Sequence, residues 1–135
     1  MNKANLVREW FEYASNDLII ANHALENIHP KLIEITCYHC QQAVEKALKG
    51  FLIDNEIEPP RTHDLKTLCK VCIEINISFQ EFWDACAKMT TYATSTRYPG
   101  NVEVTEENAR FAIKEADKIY TFCAALVSEL RAEQK

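Results

Sequence analysis

Along the first thirty positions the apolar residues Leu6, Val7, Trp10, Phe11, Ala14, Leu18, Ala21, Leu25 and Ile28 recur every three or four places. That is the period of a helix with one buried stripe. It predicts one helix of about 24 residues, roughly 36 Å long at 1.5 Å per residue. Glu12, Asn16 and Asp17 fall off the stripe and are expected in solvent. Pro30 interrupts the pattern and is expected to open a second helix, from about Leu32 to Asn55. Its core stripe would be Cys37, Cys40, Val44, Leu48 and Phe51.

Ile57 to Pro60 should be extended, because each proline disfavours the α conformation of the residue before it. Thr62 or Asp64 then caps a third, shorter helix with Leu65, Leu68, Cys69, Cys72 and Ile75 on one side. Ser78 and Glu81 read as the capping box of a fourth, with Phe79, Phe82, Trp83, Cys86, Met89 and Ala93 facing inward. From Ser95 to Val104 the period stops, with a turn at Pro99-Gly100. Thr105 caps a last helix whose first turn carries Glu106 and Glu107, as the helix dipole prefers. Its stripe is Ala109, Ile113, Ala116, Tyr120, Cys123, Leu126, Val127 and Leu130. About five helices with short links and no strand predict an all-α, up-and-down helical bundle. Neither a repeat nor a low-complexity stretch divides the chain, so residues 1–135 are expected to form a single domain.

Composition agrees with that picture. Only two glycines and four prolines occur in 135 residues, which favours long helices over a many-turned β fold. The net charge of −5, from 15 basic and 20 acidic residues, argues against broad electrostatic binding to duplex nucleic acid. A local basic pocket stays open. No apolar run approaches the roughly 20 residues of a membrane span, and the N-terminus leads into an amphipathic helix without a signal-peptide core. A cytoplasmic location without membrane contact is therefore expected, and the six cysteines read as thiols rather than disulfides.

Two Cys-x-x-Cys pairs, Cys37/Cys40 and Cys69/Cys72, have the spacing of zinc half-sites. Each lies on the apolar stripe of a helix, however, where free cysteine behaves as a small buried hydrophobe. No metal or other cofactor is therefore expected. On the second helix His39, Gln42, Lys46 and Lys49 are spaced by three, four and three, so they share a polar face. Arg61, Thr62, His63 and Asp64 crowd the start of the third helix. They suit either a helix cap or a phosphate site on free N–H groups. Arg97 and Tyr98 offer a guanidinium fork and an aromatic hydroxyl beside the last turn. They suit either a phosphate and base clamp or an architectural plug with an ion pair.

Three motifs in this order resemble the HEPN domain family. They are Cys37-Tyr38-His39 followed by Gln41-Gln42-Ala43-Val44-Glu45-Lys46-Ala47-Leu48-Lys49, then Pro60-Arg61-Thr62-His63-Asp64-Leu65, then Arg97-Tyr98-Pro99. The likeness spans the chain from about Trp10 and Asp17-Leu18 to Leu130. It implies a helical bundle, usually a homodimer, with a cleft at or near the dimer interface. It also implies a minimal nucleotidyltransferase as partner, in a toxin–antitoxin pair or a nucleotide-binding complex.

Many members of that family are metal-independent ribonucleases marked by Arg and His separated by four to six residues. None of the five arginines here is followed by His at that interval, and after Arg97 the three positions hold Val102, Glu103 and Val104. The sequence thus leans away from an enzyme. The resemblance implies a nucleotide-binding module using Arg61, His63, Asp64, Arg97, Tyr98, His39, Gln42 and Lys46. Two alternatives stand beside it: a ribonuclease toxin with an atypical pair such as Arg97 and His63, with RNA left open as a ligand, and a pure dimerisation domain.

Overall fold

A computed structural model describes residues 2–93, 103–127 and 130. Five α-helices are found there: α1 (Lys3–Glu26), α2 (Ile33–Asp54), α3 (Leu65–Ile75), α4 (Trp83–Met89) and α5 (Glu106–Leu126). Two 3-10 segments flank α4, at Ile77–Phe82 and Thr90–Ala93. No strand occurs among the described residues, so the fold is an all-α bundle.

Helix α2 is the element on which the others assemble, packing on α1, α5, α3 and the second 3-10 segment. Its inward stripe, Cys37, Cys40, Val44, Leu48 and Phe51, is buried. Small residues on that side, Ala43, Ala47 and Gly50, let neighbouring helices come close. At Gly50 the approach is closest, and a Cβ there would lie 2.7 Å from Cε2 of Phe11. Phe51, Phe79, Phe82 and Phe122 form a ring cluster, tilted between Phe51 and Phe79 and edge-on in its other pairs, that ties α2, the first 3-10 segment and α5 together, with Phe51–Phe79 centroids 4.7 Å apart and Phe79–Phe122 5.0 Å. Such pairs contribute about 0.5–1.5 kcal/mol each beyond area burial.

The helix ends follow local chemistry. Asn2 caps α1, Asp64 caps α3, and Thr105 with Asn108 forms a reciprocal capping box on α5. Helix α2 ends in a Schellman arrangement: Glu56 N–H donates to Ile53 O and Ile57 N–H to Leu52 O, with Glu56 at φ 62°.

Several expectations are corrected. Pro30, preceded by a cis peptide bond, does not open α2. Leu32 N–H donates back to Ala24 O, holding this turn against the end of α1, and the helix starts at Ile33. The capping box at Ser78 and Glu81 does not form. Asn76 accepts from Ser78 N–H and starts a 3-10 segment, so one long fourth helix is replaced by three short pieces. Trp83 consequently turns outward and is 38% exposed. On α5 the buried line runs through Ala109, Ala112, Ala116, Ile119 and Cys123, leaving Ile113, Tyr120 and Leu126 at its edge. The core contact selected the smaller residues on that helix. Asp17, expected in solvent with Asn16 and Glu12, is only 6% exposed. It faces α2, where side chains 22 and 29 residues away in sequence receive it.

Candidate functional site

Two buried carboxylates organise the polar face of α2. Asp17 on α1 accepts from His39 Nδ1 at 2.8 Å and from Lys46 Nζ at 2.5 Å. Glu45 on α2, 5% exposed, accepts from Lys49 Nζ at 2.9 Å and from His63 Nδ1 at 3.0 Å. Each acid thus meets one lysine and one histidine. A buried carboxylate left alone would be costly, and these pairs offset that cost.

Gln41 links the second group to the backbone. Fully buried, it donates from Nε2 to Glu45 at 3.3 Å and to His63 O at 3.1 Å, while its Oε1 accepts from Gln42 at 2.7 Å. The loop bearing Arg61 and His63 is fixed against α2 through these bonds. His39 and His63 each commit Nδ1 to a carboxylate, which sets the tautomer and leaves Nε2 as the ring's remaining polar atom. His63 has 74% of its side chain in solvent, His39 24%. Arg61 is exposed and has no ionic or hydrogen-bonded partner among the described residues.

Asp64 does different work. Its carboxylate accepts from Lys66 N–H at 2.9 Å and from Thr90 Oγ1 at 3.2 Å, and Thr90 Oγ1 in turn accepts from Leu65 N–H at 3.0 Å. The N–H groups that could have held a phosphate at the start of α3 are thereby used by the protein. Partial burial raises the Asp64 pKa, but the hydrogen bonds from Lys66, Thr90 and Thr67 outweigh it and hold the carboxyl below its usual value of 3.8. Thr62, the other candidate cap, accepts from Asp64 N–H instead.

His39, Gln42 and Lys46 thus share a face of α2, His63 is joined to that helix at Gln41 and Glu45, Arg61 is exposed on the loop two residues before His63, Asp64 belongs to the α3 cap, and Arg97 and Tyr98 lie outside the described residues. Sequence reading missed Asp17 and Glu45 as organising groups. The available signal for Asp17 was an acid inside the three-four series Leu6, Trp10, Tyr13, Asp17 and Ile20.

The six thiols are all buried and free. Burial, with Glu34 adding to it, pushes Cys37 up to about 12. Burial likewise raises Cys40, Cys72 and Cys123, while a hydrogen bond with Cys69 is the main cause of the rise at Cys86. Among the described residues no three His, Cys, Asp or Glu side chains are arranged to hold a metal ion, and no helix is long and apolar enough to cross a membrane.

Two solved structures share this architecture. An archaeal HEPN homologue matches with a TM-score of 0.72 and 25% identity, over 90% of this chain and 98% of that one. The Thermus thermophilus protein TT1696 matches with a TM-score of 0.75 and 26% identity, over 93% and 98% of the two chains. No curated protein sequence matches. The HEPN domain family model matches residues 7–127, which includes all five helices but the first turn of α1, and the chain belongs to that family.

Proposed function

We propose that this protein is a non-catalytic HEPN module that binds a nucleotide or nucleotide-like ligand along the outer face of α2. It acts as a homodimer with a minimal nucleotidyltransferase partner, in the manner of a toxin–antitoxin pair. One observation carries the ligand reading: the acids of this face are buried beneath its basic groups. Asp17 and Glu45 are 6% and 5% exposed, whereas His39, Lys46 and His63, which pair with them, and Arg61 on the loop of His63 reach the surface. An approaching phosphate therefore meets the Lys46 and Arg61 side chains before either carboxylate. Arg61 supplies the permanent charge, since Lys46 and Lys49 are already paired with the acids. His63 and His39 present their Nε2 atoms alongside it, and Gln42 sets one edge of the surface. Arg97 and Tyr98 complete the ligand set in this reading.

The test is a thermal-shift and calorimetric scan against nucleoside mono-, di- and triphosphates and short RNA. Saturable stabilisation by a nucleotide is expected, lost in Arg61→Ala and His63→Ala while their unliganded Tm stays near that of the parent. No shift with any nucleotide would remove this reading. Cleavage of RNA that vanishes in His63→Ala would replace it with a ribonuclease.

A further inference from the structure

His63 is at once exposed and fixed. Its side chain is 74% in solvent, yet Nδ1 lies 3.0 and 3.2 Å from the two oxygens of the buried Glu45 carboxylate, and its main-chain carbonyl accepts from Gln41 Nε2 at 3.1 Å. An exposed side chain ordinarily keeps its rotamer freedom, and ordering one costs on the order of 1 kcal/mol. Glu45 does not require that ordering, because Lys49 Nζ at 2.9 Å and Gln41 Nε2 at 3.3 Å already satisfy its two oxygens. The consequence of the tether is chemical. A carboxylate only accepts, so Nδ1 carries the proton of the neutral ring, and the lone pair sits on Nε2, on the side away from Glu45. Nε2 makes no hydrogen bond among the described residues. His39 has the same link to Asp17, but only 24% of its side chain reaches solvent and Lys46 shares its carboxylate.

We propose that His63 is a covalent modification site, its Nε2 accepting a phosphoryl group from a small activated donor such as an acyl phosphate or a phosphoramidate. The Nε2 lone pair attacks phosphorus and a P–N bond forms. The bond from phosphorus to the leaving group breaks, and its electron pair departs with a carboxylate or, from zwitterionic phosphoramidate, with ammonia. The ring is left as an imidazolium, whose charge is met by Glu45 while the Nδ1 proton stays in the hydrogen bond to it. An orienting carboxylate behind a histidine raises the basicity of the far nitrogen in this way. The surroundings suit an anionic donor. Lys49, held on the same carboxylate, offsets the charge of Glu45, so the group as a whole does not repel it, and Arg61 stands exposed on the same loop. The site lies on the face assigned above to a nucleotide but does not rest on that reading, since the transfer needs no nucleoside.

The experiment treats the full chain with potassium phosphoramidate at neutral pH and follows each histidine by peptide mass mapping under alkaline conditions, with phosphorus NMR to tell the two ring nitrogens apart. His23 and His29 are exposed and carry no carboxylate partner among the described residues, so they serve as controls within the same molecule. His63 is expected to be phosphorylated on Nε2 about tenfold faster than either. Glu45→Gln, which keeps the shape and removes the charge, is expected to bring His63 down to the rate of the controls with helical circular dichroism unchanged. In denaturant the histidines of the parent should react alike, so the comparison within the parent decides the matter even if the variant fails to fold. Labelling of His63 no faster than that of His23 and His29, labelling at Nδ1, or a rate in folded Glu45→Gln equal to that of the parent would each overturn the proposal. Nucleotide binding measured on the same samples is a separate result: its absence removes the ligand reading alone, and slow labelling of His63 removes the acceptor site alone.

Discussion

Asp17 Oδ1 lies 2.8 Å from His39 Nδ1, and the same carboxylate holds Lys46, so one acid on α1 fixes two basic side chains seven residues apart on α2. The contact crosses the largest helix pair of the bundle at a point that is nearly dry. Asp17→Asn keeps the shape and removes the charge. Losing one partner of a fully buried ion pair costs about 3–5 kcal/mol, but Lys46 retains part of its hydration. The expected loss is about 2 kcal/mol, a fall in Tm of roughly 8 °C. Adding Lys46→Met should restore about half of it, because the stranded charge is then gone as well. Chemical denaturation of the four members of this cycle checks the prediction, and simple additivity would count against it.

Asp64 predicts an acid limb. Its folded-state pKa lies below 3.8, so the unfolded chain takes up the proton more readily. The stabilisation from this cap is complete above the unfolded value and is lost as pH falls through the folded one. Asp64→Ala should cost about 1 kcal/mol at neutral pH. Melting curves between about pH 5 and pH 2.5 should show a shallower acid decline in that variant than in the parent.

Gly50 sets the spacing between α1 and α2. Alanine would improve helix propensity by about 1 kcal/mol, whereas overpacking a well-filled core costs about 1–3 kcal/mol. With Phe11 Cε2 2.7 Å and Cδ2 3.0 Å from the new Cβ, and the ring packed edge-on against Tyr120, the clash should win. A loss of about 1 kcal/mol is expected for Gly50→Ala. It should shrink when Phe11→Leu is already present, which equilibrium unfolding of the double variant would show.

Glu56 should gain from the opposite change. At φ 62° its Cβ is strained by about 1–2 kcal/mol, against the smaller entropy that glycine loses on folding. Glu56→Gly is expected to raise stability by about 0.5 kcal/mol, a rise in Tm of about 2 °C, with the Schellman hydrogen bonds retained. A fall in Tm would mean that the glutamate side chain contributes more than the backbone strain costs.

The sequence by itself determined the helical bundle and most of the core. Spacing of three and four over twenty or more residues is sufficient where a helix has one wet side and one dry side, as in α1 and α2. It also showed Thr105 as a cap, because capping is chemistry between residues three apart. The family motif around His39, Gln42, Lys46, Arg61 and His63 was legible for the same reason, being contiguous or periodic along the chain. Only the tertiary structure decided what lies beneath it. Asp17 reads as a solvated residue at the edge of the α1 stripe until α2 is laid against it, since its partners are separated from it by a whole helix and turn. Asp64 reads equally as phosphate site or cap until Thr90, from the far end of α4, comes to share its hydrogen bonds. Periodicity reports which side of a helix avoids water. Which charge meets which across a buried seam is fixed only when two distant segments pack, because desolvation makes the pairing obligatory there and nowhere earlier.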